Sequence, residues 1–209
     1  MQQPSVWTGV PLSTMVSGKK VVIDAGHGGR DPGAKAQTGL REKDLNLDVA
    51  LMLKKQLSRL GIYCVMIRET DRDFCDEGAD LPNKKRQDLI HRVRIANEHR
   101  ADIYLSIHAN SFPQTQYRGA QTFFEPDNPD SRRLAASIQA QLVQRLGPNK
   151  RQIKPGDFRV LKSTGMPAVT IEVGFLSNPE EAQLLGRSEY REKLAEAICH
   201  GVIDYFTHP

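Results

Sequence analysis

Val21-Val22-Ile23-Asp24-Ala25-Gly26-His27-Gly28-Gly29-Arg30-Asp31-Pro32-Gly33 is the stretch on which the rest of the chain depends. Its β-branched opening, with Lys19 and Lys20 before it, reads as a buried strand that stops in a glycine-rich turn carrying one imidazole. Gly26, Gly28, Gly29 and Gly33 let the backbone take positive φ and leave open space around His27, which a purely structural histidine does not require. The turn is therefore the first candidate for the floor of an active site.

Outward from it, residues 34–41 read as a loop, and Glu42-Lys43-Asp44 opens a helical period through Leu45, Val49, Leu53 and Leu57 to Gly61. Acidic residues in the first turn and a glycine past the last suit the two poles of a helix. Residues 62–67 form a second expected strand, 68–81 a polar loop, and 82–100 a second helix. A third strand over 102–107 ends at His108-Ala109-Asn110. Then come a strand over 119–125, a helix over 130–146, a short strand over 158–161 and a strand over 167–174. Asn178-Pro179-Glu180-Glu181 starts a helix with proline at its first position, and a closing helix covers 188–206. Strands alternating with helices give an α/β fold, a three-layer α/β/α sandwich around a mostly parallel sheet of about six strands.

The 209 residues, 39% hydrophobic and 26% charged, suit one catalytic domain over 19–209 after a linker-like 1–18 rich in Gln, Pro, Ser and Thr. The net charge of +4 is mild. Lys84, Lys85, Arg86, Arg92 and Arg94 read as a solvated helix face, and with no aromatic residues among them nucleic acid is not an expected partner. The three cysteines are too few and too scattered for a disulfide framework or a thiolate metal site. No signal peptide or long apolar run is present, so the chain reads as soluble, with any export or anchor segment lying outside it.

In an open α/β sheet the ligand crevice lies beyond the carboxyl ends of the strands, where His27, His108 and Glu172 each stand. Glu42, at the amino end of the helix after the first strand, returns to the same edge. Two imidazoles and one carboxylate make a ligand set of zinc type that leaves a position for water. Glu172 inside Val-Thr-Ile-Glu-Val-Gly-Phe is costly as a bare ion, and a neighbouring cation accounts for it. Singly, His27 reads equally well as a polar loop residue and Glu42 as a carboxylate facing a helix dipole; jointly they point to a site. The dinucleotide fingerprint fails because Asp31 stands at its third glycine, and the phosphate loop fails because Ala34 replaces its lysine. Ser106 is expected to point away from the residues around His108, which leaves no hydroxyl nucleophile.

Val-Ile-Asp-Ala-Gly-His-Gly-Gly-Arg-Asp-Pro-Gly, the Glu42-Lys43-Asp44 helix start, Ser-Ile-His-Ala-Asn and Ile-Glu-Val-Gly-Phe-Leu-Ser-Asn together resemble the zinc-dependent N-acetylmuramoyl-L-alanine amidases of bacterial cell walls. The resemblance implies a phosphorylase/hydrolase-like fold and one Zn2+ per chain on His27, Glu42 and His108, with Glu172 as the general base and acid. Its implied substrate is peptidoglycan, at the amide between the lactyl group of N-acetylmuramic acid and L-alanine of the stem peptide. Asn110 and Arg118 are candidate substrate contacts. Arg86-Gln87-Asp88-Leu89, Arg94-Ile95-Ala96-Asn97 and the run from Tyr117 to Phe124 are similar to the germination-specific, spore-cortex branch. That branch implies location in the cell envelope, in the intermembrane cortex space of the forespore. It also implies a muramic-acid deacetylase that then builds muramic δ-lactam, and an activating protein partner. The 64 positions from His108 to Glu172 leave no room for the inhibitory helix of division-associated relatives. The alternatives are a vegetative autolysin, or a metallohydrolase cutting a different peptidoglycan bond.

Overall fold

A computed structural model describes residues 12–75, 81–147 and 149–208. Leu12–Val16 form a short helix, α1, inside the stretch read as a linker, and Val16 is buried in the core; residues 1–11 lie outside the described residues. The chain then runs β1 (Lys20–Ala25), α2 (Glu42–Arg59), β2 (Tyr63–Met66), α3 (Leu81–His99), β3 (Ile103–Asn110), β4 (Gln121–Phe124) and α4 (Pro129–Leu146). It continues through β5 (Lys154–Pro155), α5 (Arg159–Ser163), β6 (Ala168–Phe175), α6 (Pro179–Leu185) and α7 (Ser188–Thr207).

The six strands form one sheet in the order β2-β1-β3-β6-β4-β5. The first four are mutually parallel, β4 runs antiparallel to β6, and β5 runs parallel to β4. The expected mostly parallel α/β sandwich is thus the observed one. Leu45, Val49, Leu53 and Leu57, one turn apart on α2, carry its buried stripe into the core shared with α4 and α7. Asn128 and Asn178 accept hydrogen bonds from the backbone N–H groups of Ser131 and Glu181, and proline follows each cap, which fixes where α4 and α6 begin.

One expected strand is corrected. Residues 158–161 are not strand: Arg159–Ser163 form α5, and the fifth strand is the two-residue pair at 154–155. A four-residue apolar run has no decisive period, and here Val160 and Leu161 drop together onto Tyr104 and Ala168 from a helical turn. Part of the loop expected over 68–81 falls on residues 76–80, which lie outside the described residues.

The two faces of the sheet differ. Under α2, α4 and α7 the strands present Val21, Ile23, Ile103, Leu105, Ile107, Val169 and Ile171, all fully buried. Under α3 and α5 they present successive rows that change character toward their carboxyl ends. Val22, Tyr104 and Ala168 lie in register, then Asp24, Ser106 and Thr170, and then His108 beside Glu172. An apolar floor therefore gives way to hydroxyls and carboxylates at the edge where the site forms.

Candidate functional site

His27 leaves β1 in the left-handed region at φ 62°, a strained conformation for a residue with a Cβ. Two buried guanidinium groups hold the backbone there. Arg68 donates to the carbonyls of Ala25 (2.8 Å) and Gly26 (3.1 Å), and Arg92 donates to those of Ala25 (3.0 Å) and His27 (2.7 Å). Arg92 is itself charge-compensated by Asp24 and Asp88, and Asp24 also accepts from the Tyr104 hydroxyl. The reading of Arg92 as part of a solvated face is therefore wrong: it is 2% exposed. It lies on the inward stripe with Val93 and Ala96, where a cation is tolerated because two carboxylates and two carbonyls surround it. The side chain of Lys84, from the same charge run, lies outside the described residues.

The turn delivers its imidazole to a carboxylate and a second imidazole. Glu42 Oε1 stands 3.1 Å from His27 Nε2 and 3.1 Å from His108 Nδ1, and it accepts from the Ala109 N–H. Its Oε2 accepts from the Ala34 N–H at 2.8 Å, which fixes the carboxylate plane. The His27 and His108 rings meet edge to face, 5.0 Å between centroids. One ligand atom from each of His27, Glu42 and His108 falls within 4.8 Å of the others. Two glycines permit this crowding. A Cβ at Gly26 would come 2.2 Å from the His108 ring, and one at Gly33, where φ is +64°, would come 2.5 Å from Glu42 Oε2.

Asp31 accepts from His27 Nδ1 at 2.9 Å, which orients the ring and leaves Nε2 facing Glu42. Burial alone pushes the His27 pKa down, but hydrogen bonds to Asp31 and Glu42 outweigh it and carry the value to about 9. Asp31 falls to about 2, chiefly through the same bond to His27. Glu42 is pushed up by burial and pulled further down by His108 and His27, so it lies well below the usual carboxylate range.

Glu172 occupies the same edge on β6, in register with His108 on one side and Gln121 on the other. It is 9% exposed, and its Oε2 has no hydrogen-bond partner. Burial raises its pKa to about 7; His108 and His27 oppose the rise and Glu42 adds to it. Two carboxylates in one site are thus driven apart, one locked as an anion and one poised near neutrality.

A cavity of about 740 Å³ opens beside His27 and His108, floored by Asp24, Ser106 and Thr170 and walled by α3 and the start of α5. Ser106 therefore shares a face with His108, contrary to expectation, because residues two apart on a strand point the same way. Asn110 and Arg118 lie outside the triad. Asn110 Oδ1 accepts from the Ser111 N–H, and Arg118 pairs with Glu180 at 3.0 Å. The register with β6 shifts between His108 and Asn110, so that Asn110 pairs with Phe175 and its carbonyl accepts from the Leu176 N–H at 2.8 Å.

The sequence reading brought together the triad and Glu172 but passed over Asp31, Arg68 and Arg92. Asp31 carried a signal, a carboxylate four residues after the histidine within one tight turn.

Comparison with known proteins places these features in a family. The family model for N-acetylmuramoyl-L-alanine amidase matches residues 21–204. The germination-specific N-acetylmuramoyl-L-alanine amidase of Bacillus subtilis (strain 168) is 38% identical over 199 residues, 94% of this chain and 84% of that protein. The amidase LytC of the same organism is 34% identical over 207 residues, covering 97% of this chain and 39% of LytC. Among solved structures, the CwlD amidase from Clostridioides difficile, in complex with the GerS lipoprotein, superposes with a TM-score of 0.89 at 38% identity. That match covers 91% of this chain and 100% of CwlD. With matched residues that run from β1 to α7 and so take in His27, Glu42, His108 and Glu172, the chain belongs to the N-acetylmuramoyl-L-alanine amidase family, enzymes that act on peptidoglycan.

Proposed function

We propose that the protein hydrolyses the amide between the lactyl group of N-acetylmuramic acid and the first L-alanine of the stem peptide, using one zinc ion held by His27, Glu42 and His108. The observation that carries this reading is the convergence of those three ligand atoms within 4.8 Å, with the unpartnered Oε2 of Glu172 on the neighbouring strand. The donor set fits zinc, since two imidazole nitrogens and one carboxylate oxygen leave room for a further ligand, and Asp31 orients His27 as metal-bound histidines are oriented. A zinc ion bound there supplies Lewis-acid polarisation of the carbonyl and a more acidic water.

Glu172 accepts the proton of the attacking water and returns it to the departing nitrogen. The C–N bond breaks, leaving a carboxylate on the lactyl group and a stem peptide with a free L-alanine amino terminus. Without a metal, burial raises the Glu172 pKa to about 7, and a cation beside it would favour the anion that takes the proton. Asn110 and Arg118 contact sugar or peptide at the rim.

The setting we infer is the spore cortex, in the cell envelope between the two forespore membranes. Residues 19–209 act as the catalytic domain, with α1 of the preceding stretch packed onto it through the buried Val16. A muramic-acid deacetylase follows, converting the stripped residue to δ-lactam, and a protein partner activates the enzyme. The germination-specific Bacillus subtilis relative and the lipoprotein complex of CwlD support this setting. Vegetative wall turnover is the second reading, since the similarity extends to LytC, an amidase whose name carries no germination role. No helix among the described residues is long and apolar enough to cross a membrane.

Zinc content by elemental analysis, with mass spectrometry of muropeptides after incubation with purified peptidoglycan, tests the reaction. About one zinc per chain and free intact stem peptides are expected. Shortened peptides or deacetylated sugars would replace the reading by a different bond, and failure to retain zinc after loading would remove the ligand assignment. Digestion of cortex peptidoglycan in preference to vegetative sacculi separates the two settings.

A further inference from the structure

The segment between β3 and β4 leaves two residues after His108 and re-enters the sheet at Gln121, opposite Glu172. Beside it lies a second groove, of about 560 Å³, lined by Tyr117, Arg118, Asn149, Lys150 and Arg151. It sits at the same end of the sheet as the triad but on the β4 flank, whereas the 740 Å³ cavity lies on the α3 flank.

The groove is a built surface. Phe112 and Tyr117 are 44% and 40% exposed, yet their rings are locked edge to face at 5.5 Å over the buried Phe175. The Arg151 guanidinium lies 4.9 Å from the Phe175 ring centre and 5.8 Å from that of Tyr117, and its Nε donates to the Arg118 carbonyl. Asn149 ties the far wall to β4 through the Ala120 carbonyl. Gly119, at φ +96°, allows the walls to close, since a Cβ there would stand 2.5 Å from Asn149 Oδ1. Tyr117, with Phe112 against it, shares this patch with three cations; Glu180 pairs with Arg118 and the buried Glu181 acts on Arg118 and Arg151, so Lys150 carries the charge still open to an anion.

Exposed aromatic rings offer flat apolar faces to the C–H faces of a pyranose, and the cations require an anion. The α3-side cavity, which mixes Arg30, Lys85 and Arg159 with Asp31, Asp73 and Asp157, suits a peptide carrying both signs of charge. The β4-side groove suits a glycan carrying carboxylates. We propose that it is a saccharide subsite for peptide-free glycan whose lactyl carboxylates are exposed, the product of the reaction proposed above, on which this inference rests. A strand already stripped on one side would then stay bound while the next muramic acid reaches Glu172.

The test is calorimetric titration of the full chain with a peptide-free GlcNAc–MurNAc tetrasaccharide, with chitotetraose as the carboxylate-free control. The acidic sugar should bind at least about tenfold tighter than chitotetraose and weaken as salt is raised. Tyr117→Ala and, separately, Lys150→Glu should each weaken it at least about tenfold with little change in unfolding temperature, while His27→Ala should retain it. Equal affinity for the two sugars, or variants that bind like the native chain, would overturn the proposal. So would binding of the free stem peptide that Lys150→Glu abolishes, which would make the groove a peptide site. Amide hydrolysis of a MurNAc–dipeptide is read separately. Cleavage without tetrasaccharide binding removes the subsite and leaves the reaction; tetrasaccharide binding without cleavage removes the reaction and leaves the subsite.

Discussion

The corner of the site around His27 and the strand end around Glu172 are built on opposite plans. Around His27 the backbone carbonyls, the ring and the Glu42 carboxylate are each held by a partner. Arg68 and Arg92 hold three successive carbonyls, Asp31 holds the ring, and Glu42 is fixed by Ala34 and Ala109. Around Glu172 the strand is fully apolar on its other face, and the carboxylate keeps one oxygen without a partner. The first plan suits groups that must not move when a cation is present. The second suits a group that must change protonation at each turnover, because a fully bonded carboxylate would be held in one state.

The same chemical change at the two carboxylates breaks this comparison most severely. Glu42→Gln should release the metal and take amide hydrolysis to background, measured by zinc content and muropeptide release. Glu172→Gln should keep zinc and lower turnover by about 10²–10⁴-fold; loss of zinc there would merge the two regions into one. Arg92→Met leaves Asp24 buried without its charged partner and should cost about 3–5 kcal/mol in denaturant unfolding. An effect under about 1 kcal/mol would mean that the corner is not held from below.

Acidity provides a smaller probe. With chelator present, the His27 contribution is fully present below its ordinary pKa of 6.5 and lost as pH rises through about 9. The Glu172 contribution is present below 4.5 and lost as pH rises through about 7. Both run the same way, so chelated protein should lose stability between about pH 5 and pH 9, with about 3 kcal/mol from Glu172 that Glu172→Gln removes. A rising profile would contradict the environments described. Asp31→Asn is the mildest change and should weaken zinc retention in a chelator competition by about 10–100-fold.

The fold and the triad were legible because strands announce themselves by β-branched runs, two of which led to His27 and His108, while Glu42 opened a helix that returns to the same edge. What stayed hidden lay in charge that faces inward. Arg92 sits amid Lys85, Arg86 and Arg94, and composition alone sends such a run to solvent; only its position in the stripe of Leu89, Val93 and Ala96 points the other way. Arg68 follows a strand in a segment rich in Glu69, Asp71 and Asp73, and its burial depends on carbonyls more than 40 positions away in sequence. α5 was hidden for another reason: four residues are too few to reveal a period.

The order of strands also sets the order in which the molecule becomes whole. β6 is the last strand to be synthesised, yet it lies between β3 and β4 with all eight of its residues buried. A chain emerging from its amino end can pair β1 with β2 and β3 and bring His27, Glu42 and His108 together, while β3 still presents an open hydrogen-bonding edge. Glu172 arrives with the strand that seals that edge. A chain broken before residue 168 would keep an open, sticky sheet edge and, on the proposed reaction, would lack its proton carrier.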